Sequence, residues 1–154
     1  MTQRIFIVPH DLTPVADKAL QQAIQLSKSI ESKIILVHIV QKESEIKNAE
    51  NRLQKIIDSN STEPSIEYLV KKGSIFTDIG KLADSHNATA IIMGTHGAKG
   101  MQKVFGSFAL KVITSCTVPF MIVQENVKPN NITRIVAPIN LSKESLQIIG
   151  AVSN

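Results

Sequence analysis

Met93–Ser107 reads MGTHGAKGMQKVFGS, and Gly94, Gly97 and Gly106 punctuate it, with Ser107 directly after the last. Ahead of it, the short apolar run Ala90–Met93 predicts a buried strand. Behind it, Phe108–Cys116 predicts a helix. A strand end, a glycine-rich loop and a helix start leave backbone N–H groups unpaired, at the positive end of the helix dipole. Glycines let an anion approach such a backbone without a Cβ in the way. Ser107 adds a hydroxyl, and His96 lies inside the loop, within reach of a bound phosphate. The chemistry these residues suit is a phosphate cradle. They equally suit a long connecting loop whose glycines only serve its turns, so the rest of the chain has to decide.

Pro9-His10-Asp11-Leu12 is the second candidate; it follows the first apolar run of the chain. His10 has no serine or cysteine nucleophile with a matching acid beside it in sequence. His38 closes a buried strand and reads as a hydrogen-bonded core residue, while His86 stands at a helix end, where a charged imidazole suits the dipole. The four histidines lack metal-ligand spacing such as HxxxH or HExxH, so no metal ligand is assigned. Neither GxGxxG nor GxxxxGK[ST] is present, and the first turn carries no HxGH-type signature of a nucleotidyl-transferring enzyme. No catalytic residue is assigned, and catalysis beyond slow hydrolysis has little support.

The elements that must position these residues alternate regularly. Ile5–Val8 is a continuous apolar run ending at Pro9, the pattern of a parallel strand buried on both faces. Thr13-Pro14 predicts a helix N-cap with Pro at the first helical position, and Asp17 suits the first-turn dipole. A second strand is expected over Ile34–Val40, a more polar helix over Ser44–Asn60, and a shorter strand nearer a sheet edge over Ile66–Val70. Gly73-Ser74 leads into a helix with Phe76, Ile79, Leu82 and Ala83 inward, ended by Asn87 in the left-handed conformation. Val118–Val123, introduced by Pro119, is the last strand. This alternation predicts an α/β fold, an open five-stranded parallel sheet with helices on both faces and right-handed crossovers. Ligands of such sheets bind beyond the carboxyl ends of the strands. The first loop and the glycine loop both leave that edge and can line one crevice.

Composition narrows the partners. Aromatic residues make up 4% of the chain, with no Trp and one Tyr, which argues against base-stacking platforms for single-stranded nucleic acid. The net charge of +4 comes from Lys and Arg spread along the chain, which suits a small anionic ligand better than DNA. Cys116 is the single cysteine, so no intrachain disulfide can form; in an apolar helix it reads as a buried structural thiol. No signal peptide precedes the first strand and no apolar run is long enough to span a bilayer, so a cytoplasmic location without membrane contact is expected. Residues 1–125 form one domain in this reading, and 126–132 a linker. Residues 133–154 begin again, because RIVAPINLSKESLQIIGAVSN resembles RIFIVPHDLTPVADKALQQAI. They predict the opening of a second, truncated repeat.

The chain resembles the universal stress protein family. The resemblance is carried by Ile7-Val8-Pro9-His10-Asp11, Leu36-Val37-His38-Ile39, Met93-Gly94-Thr95-His96-Gly97, Gly106-Ser107 and Val118–Val123, in this order. It implies a Rossmann-like five-stranded domain in stress adaptation, some of whose relatives bind ATP through G-x2-G-x9-G-[ST]. By position, the resemblance implies that Asp11 holds the ribose and that Pro9, His10, Leu12 and Ile39 line the adenine. Met93 and Gly94 would sit against the sugar. Gly97, Gly106, Ser107 and the Phe108 backbone would take the phosphates of ATP, ADP or AMP, with Mg²⁺ or Mn²⁺. Here eight residues, Ala98–Phe105, separate Gly97 from Gly106, where the pattern has nine. The shorter loop either tightens and keeps a cradle or moves Gly106 out of reach; the additional Gly100 favours the first, and Lys99 and Lys103 add positive charge nearby. The expected function is a nucleotide-binding regulator of the stress response. A dimerising or scaffolding member that binds no nucleotide is the alternative, and a slow ATP hydrolase a third. The family also commonly pairs its last strand with a twin, which implies a homodimer through Val118–Val123.

Overall fold

The computed structural model describes residues 3–60, 64–95 and 116–136. In chain order the elements are β1 (Arg4–Pro9), α1 (Pro14–Ser29), β2 (Ser32–Val40), α2 (Ile46–Ser59), β3 (Ile66–Lys72), α3 (Ile75–Ser85), β4 (Ala90–Thr95) and β5 (Phe120–Gln124), with one 3₁₀ turn at Glu43–Glu45 before α2. The five strands form one sheet in the order β3-β2-β1-β4-β5. Every neighbouring pair is parallel. The chain therefore builds outward from β1 to β3, then crosses back to lay β4 and β5 on the other side. The topological switch lies between β1 and β4. The α/β class, the five parallel strands and the edge position of β3 agree with the sequence reading.

The continuous apolar runs are explained by burial on both faces. Phe6, Val8, Ile34, Leu36 and Ile92 meet Ala19, Leu20, Ala23 and Ile24 of α1 and Leu53 of α2. Their strand neighbours Ile7, Ile35, Val37 and Ile91 meet Ile79 and Ala83 of α3 on the opposite face. Leu82 packs partly buried beside that second cluster. α2 is the more polar helix expected, with Ala49 and Leu53 its buried residues.

The helix ends follow local chemistry, with one correction. Thr13 occupies the N-cap position of α1 and Pro14 the first helical one, but the Thr13 side chain makes no capping bond. Its hydroxyl donates to Asp11 Oδ1. At α3, Asp78 Oδ2 accepts the Ser74 N–H at 2.8 Å and Oδ1 accepts Lys71 Nζ at 3.0 Å. These bonds to the charged form hold the Asp78 carboxyl below its usual range. α3 ends as expected, on Asn87 with φ 49°. Ala88 N–H donates to Ala83 O at 2.9 Å and Asn87 N–H to Asp84 O at 3.1 Å, the paired bonds of a Schellman motif.

The last strand and the burial of Cys116 differ on the far side of the sheet. The last strand begins at Phe120 rather than Val118, because Val118 sits in a bend while the Pro119 carbonyl takes the Ile91 N–H at 2.9 Å. Cys116 is half-buried rather than buried. Beyond β5, residues 126–136 carry no regular structure. They are tied to α1 where the buried Gln22 amide donates to Asn130 O at 2.9 Å and accepts Asn130 N–H at 3.2 Å. Ile135 and Val136 are 60% and 82% exposed, so the described start of the expected second repeat has no strand partner. Of the helix expected over Phe108–Cys116, Cys116 is not helical and the other residues lie outside the described residues, as do the rest of that repeat and the Phe76 side chain.

Candidate functional site

The carboxyl ends of β1 and β2 are locked together around His10. Its N–H donates to Val37 O at 2.9 Å, and its carbonyl accepts from His38 Nδ1 at 2.6 Å. His38 is thus hydrogen-bonded as the sequence implied, but it is half-buried and lines the crevice rather than the core. The His10 ring is 2% exposed and faces α1, where Nε2 meets Asp17 Oδ1 at 3.1 Å. Its Nδ1 accepts the Leu12 N–H at 3.1 Å. With Nδ1 as acceptor, the proton is assigned to Nε2, where it is donated to Asp17. Burial pushes the His10 pKa below its ordinary value, outweighing the nearby carboxylates of Asp17 and Asp11.

Leu12 has φ 67°, a left-handed conformation rarely adopted by a branched side chain. The turn is closed on its other side by Asp11, whose Oδ1 accepts the Thr13 N–H at 3.2 Å as well as the Thr13 hydroxyl. Asp11 itself is exposed at the rim. Below that rim lies a cavity of about 180 Å³, lined by His10, Asp11, Val37, His38, Ile39, Gln41 and Ile75. A second cavity of about 310 Å³ lies across the end of β2, where Leu12, Ile39 and Gln41 meet Ala49 and Arg52 of α2.

The structure therefore brings His10, Asp11 and Ile39 to one cavity and places Leu12 at its neighbour. Pro9 ends β1 in register with Val37. Met93 and Gly94 lie within β4 beside Ile122 and Val123 of β5, and Thr95 ends the strand, two residues later than the sequence implied. Gly94 is pressed against α1, since a Cβ there would lie 2.3 Å from Val15 O and 2.8 Å from Val15 C. His96, Gly97, Gly106, Ser107 and Phe108 lie outside the described residues. The sequence reading missed Val37, Gln41 and Ile75 as lining residues. Strand parity signals Val37, two residues before Ile39, and the Gly73-Ser74 turn signals Ile75 as the first residue of α3. It also missed Thr95, which is 2% exposed and whose hydroxyl has no hydrogen-bond partner among the described residues. A wider depression of about 1020 Å³ lies at the opposite, amino-terminal edge of the sheet, between Arg4, Ile30 and His86. Volume alone does not make it the site, for it holds none of the residues singled out by their chemistry. Among the described residues, no group of three or more His, Cys, Asp or Glu could hold a metal ion, and no helix is long and apolar enough to cross a membrane.

The family model for universal stress proteins matches residues 1–124. The chain belongs to the universal stress protein family. Solved universal stress proteins share its fold at low identity. One in complex with cAMP is 16% identical with a TM-score of 0.66, covering 80% of this chain and 98% of that one. The protein from Archaeoglobus fulgidus in complex with dAMP is 21% identical with a TM-score of 0.62, covering 79% and 97%. The UspA protein of Lactobacillus plantarum is 14% identical with a TM-score of 0.64, covering 80% and 99%. No curated protein gives a significant sequence match. The universal stress protein fold accounts for the strand order and for a crevice at the carboxyl edge.

Proposed function

We propose that this universal stress protein binds an adenine nucleotide, ATP or its products ADP and AMP, at the carboxyl edge of the sheet, and acts in the cytoplasm as a ligand-controlled regulator of the stress response. The observation that carries the reading is the cavity of about 180 Å³ with Asp11 at its rim and Val37 and Ile39 in its wall. An apolar wall beside a carboxylate suits a base and its ribose. Structurally similar proteins in complex with cAMP and dAMP support adenine as the base. Asp11 takes the ribose hydroxyls, with the adenine against Ile39, Leu12 and the Pro9-His10 backbone. Met93 and Gly94 lie toward the sugar. The glycine loop, through Gly97, Gly106, Ser107 and the Phe108 backbone with His96 nearby, receives the phosphates. Mg²⁺ or Mn²⁺ would neutralise phosphate charge, and no cluster among the described side chains is assigned to hold it.

Asp11→Ala is expected to weaken ATP binding by about 1.5–3 kcal/mol, the range for hydrogen bonds to a charged group. Asp11→Asn keeps an acceptor for the Thr13 N–H and separates loss of charge from loss of the turn. Titration calorimetry on the three proteins measures it, and equal affinities would remove Asp11 from the site.

The reading includes a homodimer through β5. This strand is an edge of the sheet, and Ile122 at its centre is 36% exposed. A bare apolar edge invites pairing with a second copy about a two-fold axis. Ile122→Lys should shift the protein toward monomer in sedimentation. A monomer for the unchanged chain at tens of micromolar, roughly tenfold above a micromolar dissociation constant, would rule the dimer out.

A further inference from the structure

We propose that His10 is a positioning residue with a proton-sensitive grip: its neutral ring holds the Asp11–Leu12 turn in the shape that presents Asp11 to the crevice, and protonation releases that turn. This rests on the reading that the crevice binds an adenine nucleotide.

The geometry leaves the ring one working state. Nδ1 must be an unprotonated acceptor to receive the Leu12 N–H at 3.1 Å. Nε2 must carry the proton to donate to Asp17 Oδ1 at 3.1 Å. The doubly protonated ring would set a second N–H against the Leu12 N–H, donor facing donor. Leu12 would lose its acceptor while still at φ 67°, a conformation costly for a leucine. The inexpensive outcome is for the peptide to turn over, which moves the Asp11 side chain flanking it. The other anchors of His10 do not depend on this proton, because its N–H is bonded to Val37 O and its carbonyl to His38 Nδ1. Protonation therefore acts on the turn and not on the strand.

The charged groups facing the ring are Asp17 from α1, Asp11 from its own loop and His38 from β2; β4 presents no titratable residue. The two carboxylates favour the imidazolium and His38 opposes it, but burial dominates and lowers the pKa. The folded-state pKa thus lies below the unfolded one. As pH falls, the unfolded chain takes up its proton first. The stability from this site is complete above the ordinary histidine pKa and declines as pH drops toward the depressed value. Ligand affinity follows the same direction, because the ligand selects the turn held by the neutral ring.

Two variants separate the ring's two bonds. His10→Asn can place an acceptor where Nδ1 stands and cannot titrate. His10→Gln can reach Asp17 but has no acceptor for the Leu12 N–H. AMP binding is measured by calorimetry for the three proteins at about pH 7.5 and about pH 5, a span across the histidine range. The unchanged protein should lose roughly tenfold more affinity on acidification than His10→Asn, which controls for titration of AMP itself. His10→Gln should bind roughly tenfold more weakly than His10→Asn at both pH values, and so should match the unchanged protein at about pH 5. Parallel acid profiles for the unchanged protein and His10→Asn overturn the proposal. Nitrogen and amide NMR of the unliganded protein supplies a readout that needs no nucleotide. The His10 ring should be the Nε2–H tautomer, and the Leu12 amide resonance should shift with the pKa of that ring. A Leu12 amide that stays fixed while His10 titrates overturns the grip even if AMP binds. A coupled titration with no AMP binding at any pH sustains the grip and defeats the nucleotide reading instead.

Discussion

Gly94→Ala is expected to destabilise the protein by about 3 kcal/mol or more, at the upper end of overpacking effects. The added methyl would lie 2.3 Å from Val15 O, 2.8 Å from Val15 C and 3.2 Å from Ala16 N. All three atoms are backbone, in the first turn of α1, so no side chain can rotate away. Either α1 lifts from the sheet or β4 retreats toward β5. Lifting α1 opens the cluster where Ala19, Leu20 and Ala23 meet Phe6, Val8 and Ile92. Interiors packed at crystal density do not absorb such a shift. Urea denaturation without ligand measures the effect. A midpoint equal to that of the unchanged protein would mean that α1 yields freely. The same substitution separates two roles for this glycine. A contact with a bound sugar predicts loss of affinity at full stability, whereas the helix contact predicts loss of stability with no ligand present.

Gly94 and His10 show how far the residues could be read. Apolar runs without polar alternation implied parallel strands buried on both faces, and with the alternating strand Ile66–Val70 at an edge they made up the five of the sheet. Strand order was not written in the alternation, which is the same whichever side of β1 receives β4. Strand parity carried more than the reading drew from it. Phe6 and Val8 face α1, so the His10 ring, two residues on, follows them and reaches Asp17. Ile92 faces α1 too, so Gly94 meets that helix where its backbone passes closest. Thr13 stands at the N-cap and Pro14 follows it as their types predict, but capping statistics treat Thr13 alone and do not show that its hydroxyl proton goes to Asp11 two residues earlier. The left-handed Leu12 could not be anticipated from its residue type. The acceptor on the His10 ring, with Asp11 closing the other side of the turn, accounts for a leucine at φ 67°.

Leu53→Ala is expected to cost about 2–5 kcal/mol, the range for truncating a fully buried leucine. Leu53 is 0% exposed, yet it belongs to a helix on which Ala49 is its one fully buried companion. α2 therefore rests on the sheet through a narrow contact, with Leu53 packed into the cluster of Ile34 and Leu36 and with Ile56, Ile57, Ile66 and Val70 around its margin. Truncation leaves a cavity that the alanine beside it cannot fill. The loss should be uneven, because β3 is an edge strand held by β2 and by this helix. Amide exchange should lose protection first in α2 and β3, while β1 and β4 at the centre keep theirs. A uniform fall across the sheet, or a cost under about 1 kcal/mol, would mean that α2 is anchored elsewhere. The crevice supplies the counter-test. The walls of the cavity of about 180 Å³ come from the loop after β1, from β2 with Gln41 at its end, and from α3. α2 contributes Asn48, Ala49 and Arg52 to the neighbouring cavity and no residue to this one. Leu53→Ala should thus lower stability while leaving AMP affinity unchanged in conditions where the protein remains folded, the reverse of the pattern expected for Asp11→Ala.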